Sequence, residues 1–204
     1  MLLQIHPVNP EPRKIQQVAD CLAKGGVIIY PTDTIYTFGC DYSNKKAVEK
    51  IFQIKNIKTK KKDFSLVFYD LRHIAEYTHT VSTQVFRIMK SNLPGPFTFI
   101  LKANKSITKQ FDYNKTTIGI RVPDNNIARE IVRVFEKPIA STSVHDEEDD
   151  LLQFMTDPEE IFERYGNFVD IVIDGGAGTR EASTIIDATE DAIEIIREGK
   201  GILI

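Results

Sequence analysis

The chain has 204 residues, of which 42% are hydrophobic, and 26 basic side chains stand against 29 acidic ones for a net charge of −3. That length and composition give one large domain or two small ones with a sizeable core, and exclude a disordered chain. The near-even charge balance argues against a uniformly basic nucleic-acid binder, so any anion site must be local.

The N-terminal MLLQIHPVNPEP has no charged segment followed by an apolar one, so it does not read as a signal peptide. No apolar run approaches the roughly 20 residues needed to span a bilayer. The expected location is the cytoplasm, with no membrane partner. Cys21 and Cys40 show no metal-ligand spacing, so neither a disulfide framework nor a zinc cluster is expected.

In chain order, Ile15, Val18, Ala19 and Leu22 recur at helical spacing and Gly25–Gly26 stop that helix. VIIYP (27–31) is a buried strand and YTFGCD (36–41) a short extended piece. NKKAVEKIFQIK (44–55) is a helix with Asn44 as its start signal. FSLVFYD (64–70) reads as a strand, LRHIAEY as a short helix, and VSTQVFRIMKSN (81–92) as a longer helix stopped by Pro94–Gly95–Pro96. FTFILK (97–102) and TIGIRVP (117–123) are strands, and NIAREIVRVF (126–135) is a helix. PIASTSV (138–144) is a strand, and DPEEIFERY (157–165) is a helix capped by Asp157 with Pro158 at its first position. VDIVIDGG, STIIDAT and AIEIIREG close the chain as three strands. Interleaved strands and helices with crowded strands at the end indicate an α/β (α+β) fold with a mixed sheet. No repeat or flexible linker divides it, so one domain over 1–204 is expected.

Four stretches can carry chemistry. In YPTDTIYTFGCD, Pro31 ends sheet pairing, and Thr32, Thr34 and Tyr36 follow on a connection at a strand end. Such a connection binds a ligand or forms a polar turn whose threonines bond their own backbone. In IKNIKTKKKD, Lys55 is followed by Lys58, Lys60, Lys61 and Lys62. A solvated loop is the usual meaning of such a run, and phosphate or RNA binding is the other. Arg121 lies inside an apolar strand, where it needs an anionic ligand or a structural ion pair. Ser141 and Ser143 project to one strand face and Thr142 to the other. After His145, the acids Asp146 to Asp150 read first as a solvated loop, with a charged lid or Mg²⁺ binding as alternatives.

Together these stretches resemble the YrdC/YciO family. YPTDTIYTFGCD, a lysine after the next helix, LPGPFTFIL, TIGIRVPDN, KPIASTS, STIIDAT and IIREG stand in that family's order over about Ile15 to Gly199. The resemblance implies a twisted mixed parallel and antiparallel sheet flanked by helices, with a concave cationic cavity. It also implies threonylcarbamoyl-AMP synthase chemistry, a nucleotidyl transfer joining L-threonine, bicarbonate and ATP with Mg²⁺ and releasing pyrophosphate, in the service of tRNA modification. No tightly bound cofactor is implied. By position, Thr32, Thr34, Tyr36 and Arg121 would bind the amino acid and adenylate, and Lys55, Ser141, Ser143, Ser183 and Arg197 the nucleotide. No residue is assigned a certain catalytic role. The chain departs from the synthase pattern where Ile57 replaces an arginine, His145 an asparagine, Thr37 a glycine and Leu93 a tryptophan. Those departures match the YciO branch. They leave a non-catalytic module binding tRNA or double-stranded RNA through Lys58, Lys60, Lys61 and Lys62 as the alternative.

Overall fold

A computed structural model describes residues 1–55, 64–105, 107–108, 116–144 and 155–204. Ile57, Lys58, Lys60, Lys61, Lys62, His145 and the acidic run 146–150 lie outside these described residues. The elements, in chain order, are β1 (Leu2–Gln4), α1 (Pro12–Ala23), β2 (Ile28–Tyr30), β3 (Thr37–Asp41), α2 (Lys45–Ile54), β4 (Ser65–Val67), α3 (Thr83–Asn92), β5 (Phe97–Lys102), β6 (Thr117–Arg121), α4 (Asn126–Phe135), β7 (Ile139–Ser143), α5 (Pro158–Tyr165), β8 (Ile171–Asp174), β9 (Thr184–Asp187) and β10 (Glu194–Arg197).

The helix starts are made by the residues their sequences supply. Asn44 Oδ1 accepts from Ala47 N, Asn125 Oδ1 from Ala128 N and Asp157 Oδ1 from Glu159 N, each satisfying a first-turn N–H that the helix leaves open. Helix α1 ends just before Gly25, whose φ of 82° suits glycine. Among the described residues, no helix is long and apolar enough to cross a membrane.

The strands form one sheet of ten in the order β1-β8-β2-β3-β7-β4-β6-β5-β9-β10. Pairs β1–β8, β2–β8, β4–β6 and β5–β9 are parallel. Pairs β2–β3, β3–β7, β4–β7, β5–β6 and β9–β10 are antiparallel. The sheet is therefore mixed, as the crowded C-terminal strands predict. Three details differ from the sequence expectation. Strand β1 arises from the N-terminal segment, where alternation over three residues is too short to register. The helix expected at LRHIAEY is a single 3₁₀ turn, Ile74–Glu76. The strand expected over 64–70 pairs only over Ser65–Val67.

Alternate side chains divide the core into two layers. On one face, Ile29, Phe38, Leu66, Phe99 and Ile120 pack against α2, α3 and α5. On the other, Ile28, Tyr30, Val67, Ile139, Ile171 and Ile173 pack under α1 and α4. Those two helices cover part of their face, and the remainder of it carries the candidate site.

Candidate functional site

Beyond the edge of α1 and α4, the residues of that second face change character. Strand pairing aligns Gly39 with Ser141, Ser141 with Ser65, and Ser65 with Gly119. Thr37 stands opposite Ser143 two pairs further along. Arg121 and Thr98 belong to the same face, because Ile120 and Phe99 on either side of them point into the first core layer. The result is a stripe of glycines and small hydroxyls across the adjacent strands β3, β7, β4, β6 and β5. A Cβ on Gly119 would lie 2.6 Å from Ser65 Oγ and 3.1 Å from Thr98 Cγ2, so the neighbouring side chains already occupy the space over this glycine.

Arg121 is the charged residue of the stripe and is 6% exposed. One terminal nitrogen, NH2, donates to Asp33 Oδ1 at 3.1 Å and to Thr34 Oγ1 at 2.9 Å. Its Nε is buried and meets no acceptor among the described residues. A buried donor without a partner costs about 1–3 kcal/mol. Of the two alternatives for Arg121, the structural ion pair is the one present, made with Asp33.

A second guanidinium faces the same place. Arg197 lies on the exposed strand β10, yet its NH2 donates to Ser183 O at 2.8 Å. Partial desolvation of its head group, and then the like charge of Arg121, lower its pKa from the ordinary arginine value. Ser183 Oγ meets Thr98 Oγ1 at 2.8 Å, which ties the β9 side of the stripe to β5.

The other sequence-predicted residues divide sharply. Thr32 Oγ1 accepts from Thr34 N and bonds Ile35 O and Thr34 Oγ1, so this hydroxyl serves the turn. Thr34 is fully buried and acts on Arg121. Tyr36 points into the opposite core layer. Its hydroxyl donates to Gly176 O at 2.7 Å and accepts from Gly175 N at 3.2 Å, holding the β8–β9 connection. Burial pushes its phenol up to about 12. Ser141 Oγ bonds Phe38 O and the Tyr30 hydroxyl. Ser143 is half-buried and pairs with Thr37 in the β3–β7 ladder. Lys55 is buried and reaches Thr142 Oγ1 at 3.3 Å, on the β7 face opposite Ser141. The fold therefore gathers Arg121, Ser141, Ser143, Ser183 and Arg197 on one face, with Thr32 and Thr34 at its end. Tyr36 and Lys55 approach from the other side.

Sequence reasoning missed Asp33, Ser65, Thr98 and Gly119. Asp33 had one legible signal: an arginine inside an apolar strand needs an acid, and Asp33 follows a buried strand directly. Among the described residues, no group of three or more His, Cys, Asp or Glu stands ready to hold a metal ion.

Comparison with known proteins identifies this architecture. The profile of the Sua5/YciO/YrdC family, described as "Telomere recombination", matches residues 20–199. The YciO protein of Escherichia coli is 39% identical over 198 residues, covering 97% of this chain and 94% of YciO. Its crystal structure superposes with a TM-score of 0.90 at 38% identity, covering 99% of this chain and 97% of that one. The threonylcarbamoyl-AMP synthase of Coxiella burnetii is 30% identical over 187 residues, covering 91% of this chain and 97% of the synthase. Sua5 of P. abyssi, crystallised with L-threonine, shares the fold at a TM-score of 0.88 and 22% identity, covering 98% of this chain and 57% of Sua5. The chain belongs to the Sua5/YciO/YrdC family.

Proposed function

We propose that the stripe binds ATP with its Mg²⁺ together with L-threonine, and that the chain performs or retains part of threonylcarbamoyl-AMP synthesis. The observation that carries this reading is the pair Arg121 and Arg197 facing a floor of small hydroxyl residues, with one Arg121 donor unpaired. Two partly desolvated guanidiniums on one side of the sheet call for an anion with several oxygens, and a triphosphate or a carboxylate fits. The synthase relative and the L-threonine in the Sua5 crystal support the choice of ligands.

In the proposed reaction, the threonine amine captures bicarbonate as a carbamate with loss of water. A carbamate oxygen then attacks the α-phosphorus of ATP, and the bond to pyrophosphate breaks. The residues of the stripe would contribute by holding the reactants together and by compensating charge on the phosphates. Ser143, on the stripe side of β7, would contact the phosphate chain, whereas Lys55 reaches Thr142 on the opposite face of that strand. A tRNA partner follows from family resemblance alone. The RNA-binding alternative rests on Lys58, Lys60, Lys61 and Lys62, which lie outside the described residues, whereas the nucleotide reading rests on Arg121 and Arg197.

Incubation with ATP, L-threonine, bicarbonate and Mg²⁺ tests the activity by adenylate and pyrophosphate release. Thermal shift with ATP, pyrophosphate and L-threonine tests binding separately. A ligand at 100 times its Kd adds about 2.7 kcal/mol, a readily seen shift. No product and no shift with any of the three would sink the proposal.

A further inference from the structure

The Thr-Asp-Thr turn between β2 and β3 is built around Arg121 rather than around open space. The Asp33 and Arg121 side chains are each only 7% exposed. Asp33 Oδ1 accepts from Arg121 NH2 at 3.1 Å, while Asp33 Oδ2 accepts from Asp124 N at 3.1 Å. The backbone oxygen of Asp33 accepts from Lys200 Nζ at 2.6 Å. The acid thus stitches three segments together: its own turn, the chain just after β6, and the segment after β10. Thr34 Oγ1 holds the same Arg121 nitrogen at 2.9 Å.

A guanidinium is planar, so fixing one terminal nitrogen by two acceptors also fixes where its Nε–H points. That N–H is a buried donor with no partner among the described residues. We propose that Asp33 is a positioning residue: it takes one nitrogen of Arg121 so that the Nε edge is presented to an anionic oxygen of the ligand. The inference rests on the nucleotide-and-threonine reading of the stripe and adds to it how the arginine is aimed. It also explains how a buried arginine is tolerated without ligand, since Asp33 balances its charge and leaves the Nε–H unused. The ligand need not displace Asp33, because the two anions address different nitrogens.

The test compares Asp33→Ala with wild type, in the presence and absence of Arg121→Ala. Calorimetry gives the Kd for ATP–Mg²⁺ and for L-threonine, and the ¹⁵N–¹H signal of Arg121 Nε reports its orientation directly. Asp33→Ala should weaken whichever ligand Arg121→Ala weakens, by roughly tenfold or more. In the Arg121→Ala background, Asp33→Ala should cost nothing further. Added formate should restore part of the binding to Asp33→Ala alone, which a role confined to loop folding does not predict. The wild-type Nε signal should be protected from solvent exchange and lose that protection in Asp33→Ala. Additive losses, or an Nε signal unchanged in Asp33→Ala, would overturn the inference. If wild type binds neither ligand, the nucleotide-and-threonine reading fails, and the Nε signal alone then decides whether Asp33 aims Arg121. Should Asp33→Ala fail to fold, Asp33→Asn keeps the size and an acceptor for Asp124 N and carries the same measurements.

Discussion

Two halves of one sheet face do opposite things. Under α1 and α4, β2, β7 and β8 present Ile28, Tyr30, Ile139, Ile171 and Ile173, all inside a closed apolar layer. A few strands across, the same face presents Ser65, Gly119, Thr98 and Arg121. Strand β7 passes from one regime to the other within three residues, from Ile139 in the apolar layer to Ser141 in the stripe. Sheet geometry is common to both halves. What separates them is side-chain size and what covers them: helices over the apolar half, and over Arg121 the turn that carries Asp33 and Thr34.

The sharpest way to break that contrast is at Arg121. Arg121→Ala leaves Asp33 buried and unpaired and should destabilise by about 3–5 kcal/mol, read by urea unfolding. Replacing both partners, Arg121→Met with Asp33→Leu, gives the stripe the chemistry of the covered half. It should recover most of that stability while ligand binding stays lost. If binding survived the double replacement, the ion pair would be structural only.

In the covered half, Ile131→Ala on α4 should cost about 2–5 kcal/mol through the cavity it leaves. Ligand affinity should stay within about twofold of wild type once the protein is folded, since sites without shared contacts act independently. Gly119→Ala tests the depth of the stripe. Its Cβ would meet Ser65 Oγ at 2.6 Å, so about 1–3 kcal/mol of strain is expected. The companion Ser65→Gly should relieve it, and a failure to do so would place the strain elsewhere.

The smallest effect concerns Tyr36, behind the stripe. Its phenol ionises near pH 10 in the unfolded chain and at about 12 in the fold. The unfolded chain therefore loses the proton first. The stability linked to this group is whole below about pH 10 and is lost as pH rises toward 12. Tyr36→Phe should flatten that part of the pH–stability profile, leaving the separate contributions of buried Tyr30 and Cys40, which are also raised by burial.

The fold was largely legible because alternation and helical spacing are local. Strands 28–30, 97–102, 117–121 and 139–143 fall inside the predicted runs, and the caps Asn44 and Asp157 are where expected. Strand β1 was not, because its partner β8 lies nearly the whole chain away and nothing in Leu2–Gln4 announces it. The site was legible as a set of residues and much less as a set of directions. Spacing identifies Thr32, Thr34 and Tyr36 as polar groups at a strand end. Only the fold turns the two threonines inward onto the turn and Arg121, and sends Tyr36 to the opposite face. Asp33 stayed hidden between those threonines because its partner is 88 residues away in sequence.

The strand order has a consequence for how the protein is made. Of the nine strand pairings, β2–β3, β5–β6 and β9–β10 join consecutive strands, and the rest span intervening elements. Such a topology folds slowly, because long loops must close before their contacts form. The stripe draws on β3, β7, β4, β6 and β5, so it exists only once those strands have paired. A ligand bound there, as proposed, would hold the native state alone, and its protection against heat or protease should grow with concentration relative to Kd.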